Sequence, residues 1–358
     1  MTVERIGIVG AGLIGTSVGL ALARNGHQAR LADADEARAR AAAALGAGVA
    51  VTWDELAACD HVVVCVPPSA TAEVVGTVLS LALDATVSDV ASSKANVLAE
   101  VETLSAAMSS RFCGGHPIAG RERGGPGAAQ PTLFDGATWV VCPGTTTSER
   151  ARTDAAELAR RCGARVVSLD ATAHDAVLAA VSHAPQLVAS ALAARLVAAG
   201  PSAPTVAGPG FRDTTRLADS DPALWRSIAV ANAGPIAAEL RAVAGVLVGT
   251  ARSIEAGDGA AVHALVDAGR SARALLPGKA ATPRPAWARV GVVIADRPGE
   301  LARLLTAAGD AGVNVEDLAI EHATDHPAGY VDIDVRPEQA DRLLAALTTG
   351  GWAAHRSD

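Results

Sequence analysis

The sequence predicts an α/β protein in three parts: an N-terminal parallel sheet with helices on both faces, an all-helical second domain, and a C-terminal βαββαβ module of the α+β class. Short apolar segments without polar alternation recur between helical patterns over residues 1–170, as in strands buried on both faces. Strand signals nearly vanish over 171–279, where Ala-rich helical patterns dominate. Two prolines close together in the stretch 280–287 mark a linker, and strand and helix patterns return over 288–358.

The 358 residues, 50% of them hydrophobic, exceed what one ordinary core needs. Thirty Lys plus Arg against 38 Asp plus Glu leave a formal net charge of −8, so no basic field exists to attract a phosphate backbone. Aromatic residues make up only 3%, too few for base-stacking platforms. Nucleic acid is therefore not expected as a partner. Met1 to Gly10 run straight into an apolar strand pattern without the basic and long apolar regions of a secretory signal, which predicts a cytoplasmic protein. The longest apolar helical stretch, Leu187 to Ala199, is shorter than a bilayer requires and is interrupted by Arg195, so no membrane span is expected. Cys59, Cys65, Cys113, Cys142 and Cys162 are scattered without a C-x-x-C pair, which predicts small core residues and no metal site.

In chain order, Ile6 to Val9 read as a strand, followed by a small-residue helix to about Asn25. Further strands fit Gln28 to Ala32, His61 to Val66, Thr86 to Val90, Trp139 to Cys142 and Arg165 to Leu169. The last part reads as strand (Val290 to Ile294), helix (Gly299 to Gly309), strands (Asn314 to Glu321 and Gly329 to Val335), helix (Pro337 to Thr348) and strand.

Gly10-x-Gly12-x-x-Gly15, placed between a strand and a helix, is a dinucleotide fingerprint of the Rossmann type. It combines a tight turn, close approach of backbone to a pyrophosphate, and phosphate at a helix N-terminus. Leu13 and Ile14 belong to the same loop. Asp33 ends the next strand, about twenty residues on, where a carboxylate binds ribose hydroxyls. That acid favours NAD, while Arg38 and Arg40 leave NADP open. Val66 and Pro67, after a later strand, suit a backbone turn lining the adenosine side.

His116 lies in a stretch bounded by Gly114 and Gly120 and followed by Pro117, which places an imidazole on irregular backbone. A neutral imidazole suits the role of general base toward a hydroxyl; the competing reading is a surface loop histidine. Ser92, in Asp89-x-x-Ser92-x-Lys94, could orient a substrate or His116, or cap the helix that starts near Lys94. His174 and His183 fall on one predicted helix. Nine residues turn a straight helix by about 900°, so the two face opposite sides and share no metal. His183, just before Pro185, is the better candidate for a polar cleft, and His174 reads as a capping or surface group. Arg212 and Arg216, four residues apart, share a face if helical and suit carboxylate recognition, or else pair with Asp213, Asp219 or Asp221.

Together, the glycine loop, Asp89-x-x-Ser92-x-Lys94, Gly115-His116-Pro117, His174-Asp175, Ser182-His183-x-Pro185, and Gly210 to Arg216 through Trp225 and Asn232 resemble the prephenate/arogenate dehydrogenase family of tyrosine biosynthesis over about residues 3–280. The resemblance implies oxidation of a small anionic cyclohexadienyl substrate, with hydride passing from C4 to NAD(P) and the ring carboxylate lost as CO2. It implies His116 as base, Ser92 positioning it and the hydroxyl, and Arg216 on a substrate carboxylate with His183 and Arg212. The helical domain is implied to form a homodimer. Val290 to Leu301, with Gly312 and Asn314, resembles an ACT domain, which implies L-tyrosine as effector; the competing reading is a structural appendage. Arg121 and Arg123, which flank Glu122, depart from the smaller residues expected there, and Gln186 departs from the polar residue some relatives carry.

A hydroxyacid or 6-phosphogluconate-type dehydrogenase would call for a lysine inside the helical domain, and only Lys279, at its far end, is there. A non-catalytic sensor would need no base at the nicotinamide.

Overall fold

The computed structural model describes residues 4–120, 124–276, 287–322 and 328–357. Arg121, Glu122, Arg123, Lys279 and most of the linker at 280–287 lie outside the described residues. The chain divides into two compact units, Met1–Gly245 and Val246–Asp358.

The first unit opens with β1 (Ile6–Val9), α1 (Leu13–Arg24), β2 (Ala29–Ala32), α2 (Glu36–Ala44), β3 (Val49–Ala50), β4 (His61–Val64), α3 (Pro68–Leu81) and β5 (Thr86–Asp89). It continues with α4 (Ala95–Glu102), α5 (Ala106–Ser109), β6 (Phe112–Pro117), β7 (Thr138–Cys142), α6 (Glu149–Arg161) and β8 (Arg165–Ser168). The sheet order is β3-β2-β1-β4-β5-β6-β7-β8. Ile6 of β1 pairs with Ala29 on one side and His61 on the other. Successive strand residues enter opposite cores: Ile8 and Val63 pack with Leu22 and Leu31, whereas Val9, Val62 and Val64 pack with Val75 and Leu79. That double burial is why these strands show no polar alternation. The expectation of a parallel sheet needs one correction, since β6 and β7 pair antiparallel.

The helical part begins with α7 (Ala171–Leu178), a π turn over Ala179–His183, and α8 (Ala184–Ala198). It continues with α9 (Ala203–Val206), α10 (Pro209–Thr215), a 3-10 turn at Arg216–Ala218, α11 (Pro222–Ala231) and α12 (Ala233–Glu255), which runs across the division. The rod from Ala171 to Ala198 is 28 residues long and, like α12, is long and apolar enough to cross a membrane. The expected apolar length was too short because the two helical patterns join. Lipid is nevertheless a poor environment for this rod, because His174, Asp175, His183 and Gln186 project from it into polar contacts within the protein.

In the second unit, α13 (Gly259–Ala274) precedes β9 (Ala288–Ala295), α14 (Glu300–Asp310), β10 (Asp317–His322), β11 (Ala328–Val335), α15 (Ala340–Thr349) and β12 (Ala353–Ser357). The strands form an antiparallel sheet of order β10-β11-β9-β12. Val290, Val292, Val331 and Ile333 alternate onto one face and bury against Leu304, Leu343 and Leu347. The second strand starts at Asp317 instead of Asn314, whose amide donates to Glu316 Oε1 at 2.9 Å.

Candidate active site

A crevice of about 720 Å³ opens at the carboxyl ends of the first unit's strands and is lined by Gly10, Gly12, Leu13, Ile14, Asp33, Val66, Pro67, Ser92 and His116, with Asp221, Leu224 and Ile228 contributed by α11 and the residue before it. That volume lies in the ordinary range for small-molecule sites.

The glycine loop tests whether a dinucleotide fits. Gly10 has φ +99°, and a Cβ there would stand 2.3 Å from Cys65 O; a Cβ on Gly15 would stand 1.9 Å from Gly10 O. Both glycines are thus demanded by the turn and by the seating of the helix. A Cβ on Gly12 would meet nothing within 4 Å among the described residues, so the space beside it is open to a ligand. No side chain caps α1, which leaves its N-terminal N–H groups available to a pyrophosphate. Asp33 accepts the N–H groups of Ala11 (2.7 Å) and Asp35 (2.8 Å), which holds its carboxylate at the rim. Arg38 also lines the crevice, whereas Arg40 pairs with Glu36 at 3.0 Å. These residues fit a bound dinucleotide.

His116 sits on β6, so the expectation of irregular backbone is corrected. The flanking glycines that read as a loop are close-approach positions: a Cβ on Gly115 would come within 2.6 Å of Asp89 O, and one on Gly114 within 2.9 Å of Cys142 O. Asp89 and Lys94, both 0% exposed, form a buried ion pair. Asp89 also accepts from Gly115 N–H at 2.9 Å, and Lys94 Nζ donates to Gly115 O at 2.8 Å, so both backbone groups next to His116 are clamped. Removing either partner of such a pair costs about 3–5 kcal/mol, because the other charge is left buried alone.

His116 Nδ1 lies 2.9 Å from His174 Nε2, and His174 Nδ1 lies 2.8 Å from Asp175 Oδ1. His174 is therefore buried against His116, which corrects its reading as a cap or surface group. His174 and His183 do not face opposite sides, because the π turn at Ala179–His183 absorbs an extra residue: about 800° in place of about 900° leaves them roughly 80° apart. Burial holds the His116 imidazole well below the ordinary histidine range, with His174, Lys94 and His183 adding to the shift. It is therefore neutral at neutral pH.

The side chain that caps α4 is Asp175, which accepts from the N–H groups of Lys94 (2.8 Å) and Ala95 (2.9 Å); Ser92 does not cap it. Among the described residues Ser92 Oγ, buried beside the crevice, has no hydrogen-bond partner, so it is not bonded to His116. His183, 1% exposed, lies behind the lining. The Asn232 amide donates to it at 3.1 Å and to Asp175 O at 2.8 Å, and Trp225 meets its ring edge-on at 6.1 Å. Burial lowers the His183 pKa despite the nearby Asp175. Arg212 and Arg216 are exposed and do not line the crevice. The turn carrying Arg216 is pinned by Gln186, whose amide donates to Leu217 O at 2.5 Å. Sequence reasoning missed the roles of Asp175, Asn232 and the Asp89–Lys94 clamp, although the adjacency of His174 and Asp175 was a usable signal.

Two family models match the chain: prephenate dehydrogenase, nucleotide-binding domain, over residues 18–168, and prephenate dehydrogenase, dimerization domain, over residues 170–267. The chain belongs to the prephenate dehydrogenase family. It is 35% identical to the probable prephenate dehydrogenase NovF of Streptomyces niveus, over 97% of this chain and 98% of that one. Prephenate dehydrogenase of A. aeolicus, solved in complex with hydroxyphenyl propionate and NAD+, aligns with a TM-score of 0.69 and 26% identity over 76% of this chain and 98% of that chain. Arogenate dehydrogenase of Synechocystis aligns with a TM-score of 0.64 and 26% identity over 75% and 98%. Family membership accounts for the strand-end crevice, and it assigns the α7 to α12 region to a dimerization domain.

Proposed function

We propose that this chain oxidises prephenate to 4-hydroxyphenylpyruvate and CO2 with NAD as hydride acceptor. The observation that carries the reading is a neutral imidazole, His116, in the same crevice as the glycine loop and Asp33. Bound NAD would lie along Gly10, Gly12 and Asp33 and supplies the site that accepts hydride from C4. His116 takes the C4 hydroxyl proton, which makes hydride departure easier as the C4–O bond becomes a carbonyl. Breaking the ring C–CO2 bond then returns its electron pair to the ring. The phenolate oxygen so formed regains the proton from His116, leaving no net proton change. Ser92 Oγ, buried and without a partner among the described residues, is the donor or acceptor for that same hydroxyl.

The substrate is a dianion, and among the described residues the guanidinium that lines the crevice is Arg38, which pairs with Asp35 at 3.5 Å. Arg216, with Arg212 and His183, is assigned to the substrate carboxylates from outside the lining. Asp33 disfavours the 2′-phosphate of NADP by charge. The dimerization region supports a homodimer, and its exposed Leu192 and Val197 are apolar surface for a second copy. The βαββαβ order of the second unit supports an ACT-like role with L-tyrosine as effector.

The test is a two-by-two assay of prephenate and arogenate with NAD and NADP, followed as reduced cofactor. Turnover with prephenate and NAD is expected, and absence of turnover in all four combinations overturns the dehydrogenase reading. Replacing His116→Asn should lower kcat by at least about 100-fold with substrate affinity nearly intact; a fully active variant removes His116 as base. Calorimetry with L-tyrosine should show saturable binding to the full chain, and no heat at millimolar ligand would leave the second unit a structural role.

A further inference from the structure

We propose that His174 and Asp175 are positioning residues that fix the tautomer of His116, so that Nε2 is the atom that receives the substrate proton. This rests on the reading of His116 as the base. Asp175 accepts at Oδ1 from His174 and from the Lys94 N–H, and at Oδ2 from the Ala95 N–H. Its burial opposes ionisation, but the hydrogen bonds from His174, Ala95 and Lys94 outweigh this and hold the carboxyl below its ordinary range. An ionised carboxylate only accepts, so the proton of the His174 ring is on Nδ1. The Nε2 lone pair of His174 then faces His116 Nδ1 at 2.9 Å, and a hydrogen bond there requires the proton of His116 to be on Nδ1.

For two rings that carry one proton each, this arrangement leaves His116 Nε2 bare. Among the described residues it has no hydrogen-bond partner, and His116 itself lines the crevice. When Nε2 takes the hydroxyl proton, the resulting imidazolium still donates from Nδ1 to His174, whose own proton bonds to the Asp175 carboxylate. His174 is 0% and Asp175 3% exposed, so water does not compete for either bond. The carboxylate is in turn fixed at the N-terminus of α4, where helix polarity favours an anion. The same logic, a buried carboxylate selecting a histidine tautomer, costs about 10⁴-fold in rate when its carboxylate is made an amide in serine proteases.

The test is ¹⁵N NMR of the full-length protein labelled at histidine, with the His116 signals assigned by their loss in His116→Asn. The wild type is expected to show His116 protonated at Nδ1 and unprotonated at Nε2. In Asp175→Asn the amide can donate to His174 Nδ1, which shifts protons toward the opposite tautomers; kcat should fall at least about 100-fold with the prephenate KM within about 3-fold. Asp175→Glu should recover part of kcat. Wild-type His116 carrying its proton on Nε2, or an Asp175→Asn protein with wild-type kcat, overturns the proposal. The first measurement needs no variant of Asp175 and stands even if that variant folds poorly. An active His116→Asn protein would instead overturn the base reading, so the two failures are distinguishable.

Discussion

As the proposed base, His116 faces two requirements that ordinarily conflict: a base must be neutral to accept a proton, yet sit where its charged form is tolerated. Burial and the neighbouring His174, Lys94 and His183 all push its pKa down. The facing anions, Asp89 and Asp175, are occupied by Lys94 and by α4 backbone and His174. Because protonated His116 cannot act as base, the acid limb of kcat/KM against pH reports its titration in the free enzyme. That limb should fall below pH 6.5, the ordinary histidine value, with activity flat across it. A midpoint at or above that value in a pH-rate profile contradicts the burial argument. At this scale the residue types were legible from sequence, since His116, Ser92, Asp33 and the glycines all reached the crevice. Their partners were not, because the bond from His116 to His174 joins residues on a strand and on a distant helix.

Among the elements, β6 and the π turn depart most from sequence expectation. Glycines at 114 and 115 lower strand propensity, yet the close passage of β5 and β7 requires them there. The π turn leaves no residue signature, and it decides which way His174 and His183 face. Between β4, β5 and α6 lies a third buried histidine. His61 bonds Thr86 Oγ1 at 2.8 Å and Ser88 Oγ at 2.9 Å, and Thr86 donates to Asp154 at 2.8 Å. Thr86 Oγ1 therefore accepts from His61 Nδ1, and the imidazole is neutral. Burial, with Arg150 nearby, lowers its pKa from 6.5 to about 3. The unfolded chain binds this proton first, so stability is whole above pH 6.5 and is lost as pH falls toward 3, by on the order of 5 kcal/mol. Denaturation with urea at stepped pH should show that slope, and His61→Gln should flatten it. An unchanged slope in the variant would assign the acid sensitivity elsewhere.

For the molecule as a whole, the described crevice lining comes from the first unit, while its helical part leaves Leu192, Val197, Val206 and Val230 exposed. Sedimentation at micromolar concentration should give twice the chain mass; a monomer would contradict the dimer reading. In the second unit the alternation of Val290, Val292 and Ile294 was readable directly, because one face of that sheet is buried and period two survives in the sequence. The α/β class, the outer strands and helices of the nucleotide-binding part, the dinucleotide loop and the proposed base, His116, were legible in sequence alone, since each depends on local patterning or on a motif within a few residues. Only the tertiary structure decided that β6 runs antiparallel to β7, that Asp175 and not Ser92 caps α4, and that His174 backs His116. Those outcomes depend on which distant groups meet once two cores are buried, and a buried polar atom must find its partner wherever the fold brings one.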